Sequence, residues 1–217
     1  MVLNNVKLIE YSKRVDFFNC LTHAVGAAAS VAALIFMVLK AEGLRSTASA
    51  VIYGVSLIAV YTVSAVYHGL KSGEAKRIAR LIDHSTVPVL IAGTATPCAM
   101  VTLFDVSVPY SLLVLFLAWF CAVFGAVSKI FFFEKMRKVT VAVYIISCVI
   151  MLCSAVPLLD EISNEAFFGL LQGCILYLIG AAFCGLGIKR PALHVVFHVF
   201  VMLASLAHFL VIYEFVM

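Results

Sequence analysis

His194 and His198 stand four residues apart, a spacing that puts both imidazoles on one face of a helix, where they can share a metal ion. The pair alone is also what two interfacial histidines bonding water or carbonyls would look like. His68, which closes another apolar stretch, adds a third imidazole at the same depth. Three imidazoles and one open position form the ligand pattern of a catalytic zinc, as distinct from a closed structural site. Asp83 is the fourth member: it either caps a helix N-terminus and favours its dipole, or orients and deprotonates water at the metal. Ser64 lies four residues before His68, on the same face. It either assists that water or a developing oxyanion, or bonds its own backbone. His84 points about 100° away from Asp83 around the helix and is not placed for the same metal. His23, with Asn19 and Thr22, either supports the ligands from behind or caps a helix at the interface. His208 lies ten residues beyond His198, about 15 Å deeper, which suits buried packing or a hydrogen bond within the bundle. Glu214 belongs at the opposite interface.

What must position these residues follows from composition. Hydrophobic residues make up 65% of the 217-residue chain and charged ones 12%, against roughly 45–50% and 25% in soluble proteins; mean hydropathy is +1.15. Such a chain has too little polar surface to clothe a water-soluble globule. Apolar stretches run at 21–39, 48–67, 82–103, 111–133, 139–158, 166–188 and 193–213. Backbone groups in hydrocarbon need internal partners, so stretches of this length must be helices. The expectation is an all-α membrane protein: a single domain over residues 1–217, a bundle of seven transmembrane helices. An extramembrane enzyme domain, a nucleotide-binding domain and a nucleic-acid partner are excluded, the net charge of +4 being spread over loops. Gly93 and Pro97 in the third stretch and Pro157 in the fifth predict local bends, and Pro191 precedes the seventh, where a missing N–H costs least.

Lys and Arg in the short loops set the direction. The N-terminal segment and the second, fourth and sixth loops carry thirteen of them, from Lys7 to Arg190; the other side has only Lys40 and Arg45, with an acidic fifth loop of Asp160, Glu161 and Glu165. The N-terminus is therefore expected in the cytoplasm and the C-terminus outside, which puts His68, Asp83, His194, His198 and His23 in one layer at the cytoplasmic edge. Residues 1–19 are mixed polar and do not read as a secretory signal peptide. Seven cysteines without a CxxC pair read as small buried hydrophobes. HExxH, GxSxG and phosphate-cradling glycine loops are absent. Gly185 and Gly187 are expected at close packing near a span end, and the cations from Lys71 to Arg80 at anionic headgroups.

The motifs Asn19-Cys-Leu-Thr22-His23, Ser64-Ala-Val-Tyr-His68, Ile82-Asp83-His84-Ser85 running to Ile91-Ala-Gly-Thr94-Ala-Thr-Pro97, and His194-Val-Val-Phe-His198 with His208-Phe resemble, in order, those of bacterial hemolysin III proteins. These are relatives of the adiponectin and progestin receptors and, more remotely, of alkaline ceramidases. The likeness covers nearly the whole chain. It implies a seven-helix bundle with a cytoplasmic N-terminus, zinc held by three histidines matching His68, His194 and His198, an aspartate near the metal's water matching Asp83, and a serine matching Ser64. Asp16 stands where an acidic residue, often Glu, precedes the Asn-x-x-Thr-His motif, and Ala95 replaces an aromatic common before Thr-Pro.

Two functions compete. One is a zinc-dependent intramembrane hydrolase of a lipid amide such as a ceramide, in the bacterial inner membrane, with Asp83 as general base and Ser64 assisting the oxyanion. The other is a non-enzymatic channel-forming or cytolytic factor, or a sensor of membrane state, in which zinc cross-links the second and seventh spans. A proton-coupled transporter would want ionisable groups through the whole bilayer; beyond the inner layer the sequence offers only His208 and Glu214.

Overall fold

The computed structural model describes residues 6–133, 137–155 and 164–217; Lys135, Pro157, Asp160, Glu161 and the side chains of Arg137, Lys138 and Cys153 lie outside the described residues. Seven long helices make up the described chain: α1 (Lys13–Lys40), α2 (Gly43–Gly69), α3 (Glu74–Val106), α4 (Val108–Phe132), α5 (Arg137–Ala155), α6 (Asn164–Gly187) and α7 (Ala192–Phe215). All but α5 are long and apolar enough to cross a membrane among the described residues.

Capping chemistry fixes the ends where hydropathy does not. α1 starts eight residues before its apolar stretch because the Ser12 hydroxyl accepts a hydrogen bond from the Val15 N–H at 3.3 Å, and Asp16 sits in the first turn, favoured by the helix dipole. The turn into α2 needs Gly43, whose φ of 76° a side chain would resist. At the same end, the Lys40 ammonium donates to the carbonyls of Tyr213 and Glu214, which satisfies the last turn of α7. The irregularity expected in the third span is a π-helical turn over Cys98–Leu103, directly after Pro97. The Ser111 hydroxyl donates to the Ala99 carbonyl at 2.6 Å and so satisfies a backbone group of the widened turn.

α3 is the most enclosed helix, packed by α2 on one side and by α4 and α5 on the other; α1 pairs with α2 and α7, and α7 with α6. Outward faces carry a belt of large apolar side chains, among them Phe17, Phe116, Phe168 and Leu210. Lipid tails suit such surfaces as well as a protein core would. At the centre, Tyr61 of α2 and Tyr177 of α6 each lie 2.7 Å from the Ser205 hydroxyl of α7, and the Tyr61 hydroxyl also reaches the Val201 carbonyl at 3.2 Å. Three helices are thus tied by polar bonds in an otherwise apolar core.

Glycine lets α6 approach α7. A Cβ on Gly173 would stand 2.1 Å from the His208 ring, and His208 is anchored by Nε2 donating to the Leu170 carbonyl at 3.0 Å. Gly173→Val is expected to destabilise the detergent-solubilised protein by about 1–3 kcal/mol through overpacking, read as a lowered thermal midpoint. His208→Ala in the same chain, which opens that space, should recover part of the loss. A midpoint unchanged by Gly173→Val would refute this packing.

Candidate metal centre

At the end of the bundle where α2 finishes and α7 begins, His68, His194 and His198 come together. One ring nitrogen from each lies within 4.8 Å of the other two, and ring centroids are 4.8 to 5.4 Å apart. The helical repeat brings His194 and His198 to one face; the pairing of α1 with both α2 and α7 brings His68 to them.

For two of the three rings the surroundings fix which nitrogen is left for a metal. His68 donates through Nδ1 to Asp16 Oδ1 at 3.1 Å, because a carboxylate can only accept. Its Nε2 is then a buried lone pair without a hydrogen-bond partner. His198 donates through Nδ1 to the Asn19 carbonyl at 3.2 Å, beside the Thr22 hydroxyl at 3.3 Å, which leaves its Nε2 as the basic atom. Metal-binding histidines are held by outer hydrogen bonds in this way. An orphaned imidazole nitrogen and two further imidazoles within 4.8 Å form a set that zinc, with Zn–N of about 2.0–2.1 Å, can draw together by small side-chain shifts.

Asp16 is itself held. Lys76, from the first turn of α3, donates to its Oδ2 at 2.8 Å, and the Lys76 side chain is 4% exposed. The same ammonium lies over the Tyr67 ring at 5.4 Å. Tyr11, just before α1, stacks on His194 at 5.4 Å and tilts against His68 at 5.5 Å, roofing the cluster. Burial pushes the Tyr11 phenol well above its ordinary range, with lesser contributions from neighbours such as Tyr67, so it remains a neutral hydroxyl. His23 stacks on His198 with centroids 3.6 Å apart.

His68, His194 and His198 form the only group of three or more ligating side chains among the described residues. Ser64 lies beside Asp83, but Asp83 stands outside the ligand group. His84 turns away and meets the Phe133 ring edge-on at 5.1 Å. His23 is a buried neighbour of a ligand rather than an interfacial cap, and His208 serves the bundle's interior. Gly187 does pack closely, its Cβ position 3.2 Å from the His194 nitrogen, whereas Gly185 faces open space. One expectation changes sign: Lys76 and Arg80, read with Lys71 as headgroup-facing cations, are buried, and Arg80 lies over the Phe133 ring at 5.1 Å. Asp16, Tyr11 and Lys76 were not singled out for this site from sequence. The signal for Asp16 is its i, i+3, i+7 spacing with Asn19 and His23, legible only once α1 is known to start at Lys13; Tyr11 and Lys76 carry none.

The fold and this site define a helical membrane protein with a cluster of three histidines near one end of its bundle that can hold a metal ion. Residues 11–209 match the family model described as Haemolysin-III related. The chain is 35% identical to Hemolysin-3 of Bacillus cereus over 191 residues, covering 86% of this chain and 85% of that one. It is 34% identical to the Hemolysin-3 homolog of Bacillus subtilis (strain 168) over 197 residues, covering 89% and 91%. The chain belongs to the bacterial hemolysin III family, and the six helices among its described residues that are long and apolar enough to cross a membrane, together with these relatives, make it a multi-pass protein of the bacterial inner membrane.

Proposed function

We propose that this protein is a zinc-dependent hydrolase of lipid amides, working inside a seven-span bundle with its N-terminus in the cytoplasm and α5 as the seventh crossing. The observation that carries the reading is the convergence of His68, His194 and His198 from opposite ends of the chain, with His68 Nε2 buried and aimed at no protein partner. Zinc held there supplies a Lewis acid and water acidic enough to ionise near neutral pH. His68 and His198 hold the ion through Nε2, their rings locked by Asp16 and by the Asn19 carbonyl. Asp83 is the general base, and Ser64, which lies beside it, orients it or assists a developing oxyanion. Tyr11 screens the centre from the loop side. The apolar outer faces suit a substrate delivered laterally from the bilayer, with its cleavable bond near the inner headgroup level. Thirteen Lys and Arg against two support that orientation.

A second reading is favoured by the names of the two Bacillus relatives: a lytic factor in which the metal only ties α2 to α7. The two separate at Asp83→Asn. With purified protein and an N-acyl lipid, fatty-acid release is expected to fall by about 10²–10⁴-fold while zinc content stays at the wild-type level. Equal release by the two proteins removes the proposed base. Lipid hydrolysis absent from wild type, with conductance in liposomes at defined protein density, establishes the lytic reading instead.

A further inference from the structure

Buried polar atoms that find no hydrogen-bond partner in the protein are not scattered through this bundle. Among the described residues, seven of the eight belong to the layer of the histidine cluster: both side-chain amide atoms of Asn19, both ring nitrogens of His23, Tyr67 Oη, His68 Nε2 and Arg80 Nη1. The metal accounts for His68 Nε2. It does not account for Asn19 or His23, which lie outside the ligand group and are 0% and 4% exposed. Four unpaired polar atoms on one face of α1 are costly at about 1–3 kcal/mol per group. Neither side chain is needed in this form for packing. Asn19 holds His198 through its backbone carbonyl, and the stacking of His23 on His198 requires only a flat ring.

We infer that Asn19 and His23 form a recognition subsite beside the metal centre for an uncharged lipid head that both donates and accepts hydrogen bonds, such as a secondary amide bearing a hydroxyl. The donor–acceptor inventory selects this chemistry. Asn19 offers an NH₂ and a carbonyl oxygen, and a neutral imidazole offers one donor and one acceptor. A phosphate head, whose ionised oxygens only accept, would leave Asn19 Oδ1 and one imidazole nitrogen unpaired, and a site built this way rejects such a ligand. The two residues are one helical turn apart, so an N–H and a nearby hydroxyl on the same lipid can reach both. His23 also meets the Tyr61 ring edge-on at 5.1 Å, which closes the deep side of the subsite. These atoms have no accessible surface in this conformation, so the head enters as α1 moves away from α7. The inference rests on the proposed lipid-amide reading for its choice of ligand, but the subsite does not need the metal to bind.

The experiment compares wild type with Asn19→Leu and His23→Phe, which keep side-chain volume and, for His23, the ring on His198. Full-length protein in detergent is titrated with a fluorescent N-acyl sphingosine and, separately, with phosphatidic acid of matched chain length. Both titrations are run with zinc loaded and after chelation. Wild type is expected to bind the amide in both metal states and at least about tenfold more tightly than the phosphatidic acid, the worth of one good hydrogen bond. Each variant should lose at least about tenfold in amide affinity while its thermal midpoint holds or rises, because an unpaired buried polar group has been removed. Variants that bind the amide as wild type does, or a phosphatidic acid that binds wild type as well as the amide does, overturn the subsite. A variant too unstable to purify moves the decision to the other, which removes a different pair of atoms. Selective, variant-sensitive binding alongside turnover that survives Asp83→Asn sinks the hydrolytic base and leaves the subsite standing; unaltered KM in both variants with Asp83-dependent turnover does the reverse.

Discussion

His198→Ala is expected to take zinc in the purified protein from about one ion per chain to a level lost on brief dialysis against a mild chelator, and lipid-amide turnover with it. The effect exceeds the roughly 10–100-fold that removing an outer hydrogen-bond partner costs in metal affinity, because a ligand is lost and two held positions go with it. His198 is the ring that the Asn19 carbonyl and Thr22 orient and on which His23 stacks at 3.6 Å; without it α1 loses its polar seam with α7. A control on the same helix separates metal loss from general damage. His208→Ala removes an equally buried imidazole and its bond to the Leu170 carbonyl, so it should lower the thermal midpoint yet leave zinc stoichiometry at the wild-type value. Metal analysis of the two proteins side by side reads the result. Undiminished zinc in His198→Ala, or equal loss in both variants, would remove His198 from the ligand set.

That His68, His194 and His198 could be chosen before any coordinates follows from two strong local signals: apolar stretches long enough to dictate helices, and a four-residue spacing that dictates a shared face. Loop charge then put the ends of α2 and α7 on one side. The same reasoning stopped short at α1. Hydropathy measures where lipid touches a helix, not where the helix begins, so the polar turn opened by the Ser12 cap read as a tail, and Asp16 went unpaired with His68, fifty-two residues away. Lys76 and Arg80 were hidden for a related reason. The rule that counts loop cations is blind to whether a cation faces headgroups or folds back under the bundle, and Lys76 folds back because Asp16 waits there. The Tyr61–Ser205–Tyr177 junction carries no sequence signal at all: each member is ordinary in its own helix, and only the close seating of α2 and α6 on α7 makes them meet.

Asp16→Asn tests whether that hidden carboxylate sets the metal's affinity. Its Oδ1 accepts from His68 Nδ1 at 3.1 Å and so leaves Nε2 for the proposed zinc; its Oδ2 accepts from Lys76 at 2.8 Å. An asparagine of the same shape keeps one acceptor but no charge, and its NH₂ can face His68 with a donor where a donor already points. Zinc affinity is expected to fall by about 10–100-fold, measured by competition with a chelator of known affinity. Stability falls as well, since the Lys76 cation stays behind at 4% exposure with its partner neutralised. Losing one member of a fully buried pair costs about 3–5 kcal/mol, and because the Asp16 side chain keeps 22% of its surface open, water offsets part of that. Adding Lys76→Met removes the stranded cation and keeps the apolar stem. The double variant should therefore recover most of the thermal midpoint while its zinc affinity stays low, because His68 still lacks the acceptor that orients it. Recovery of both together would mean that Asp16 acts on the metal only through the stability of α1 against α3. Wild-type zinc affinity in the single variant would mean that His68 is oriented by packing alone, with Tyr11 and Tyr67 against its ring doing what is here assigned to the carboxylate.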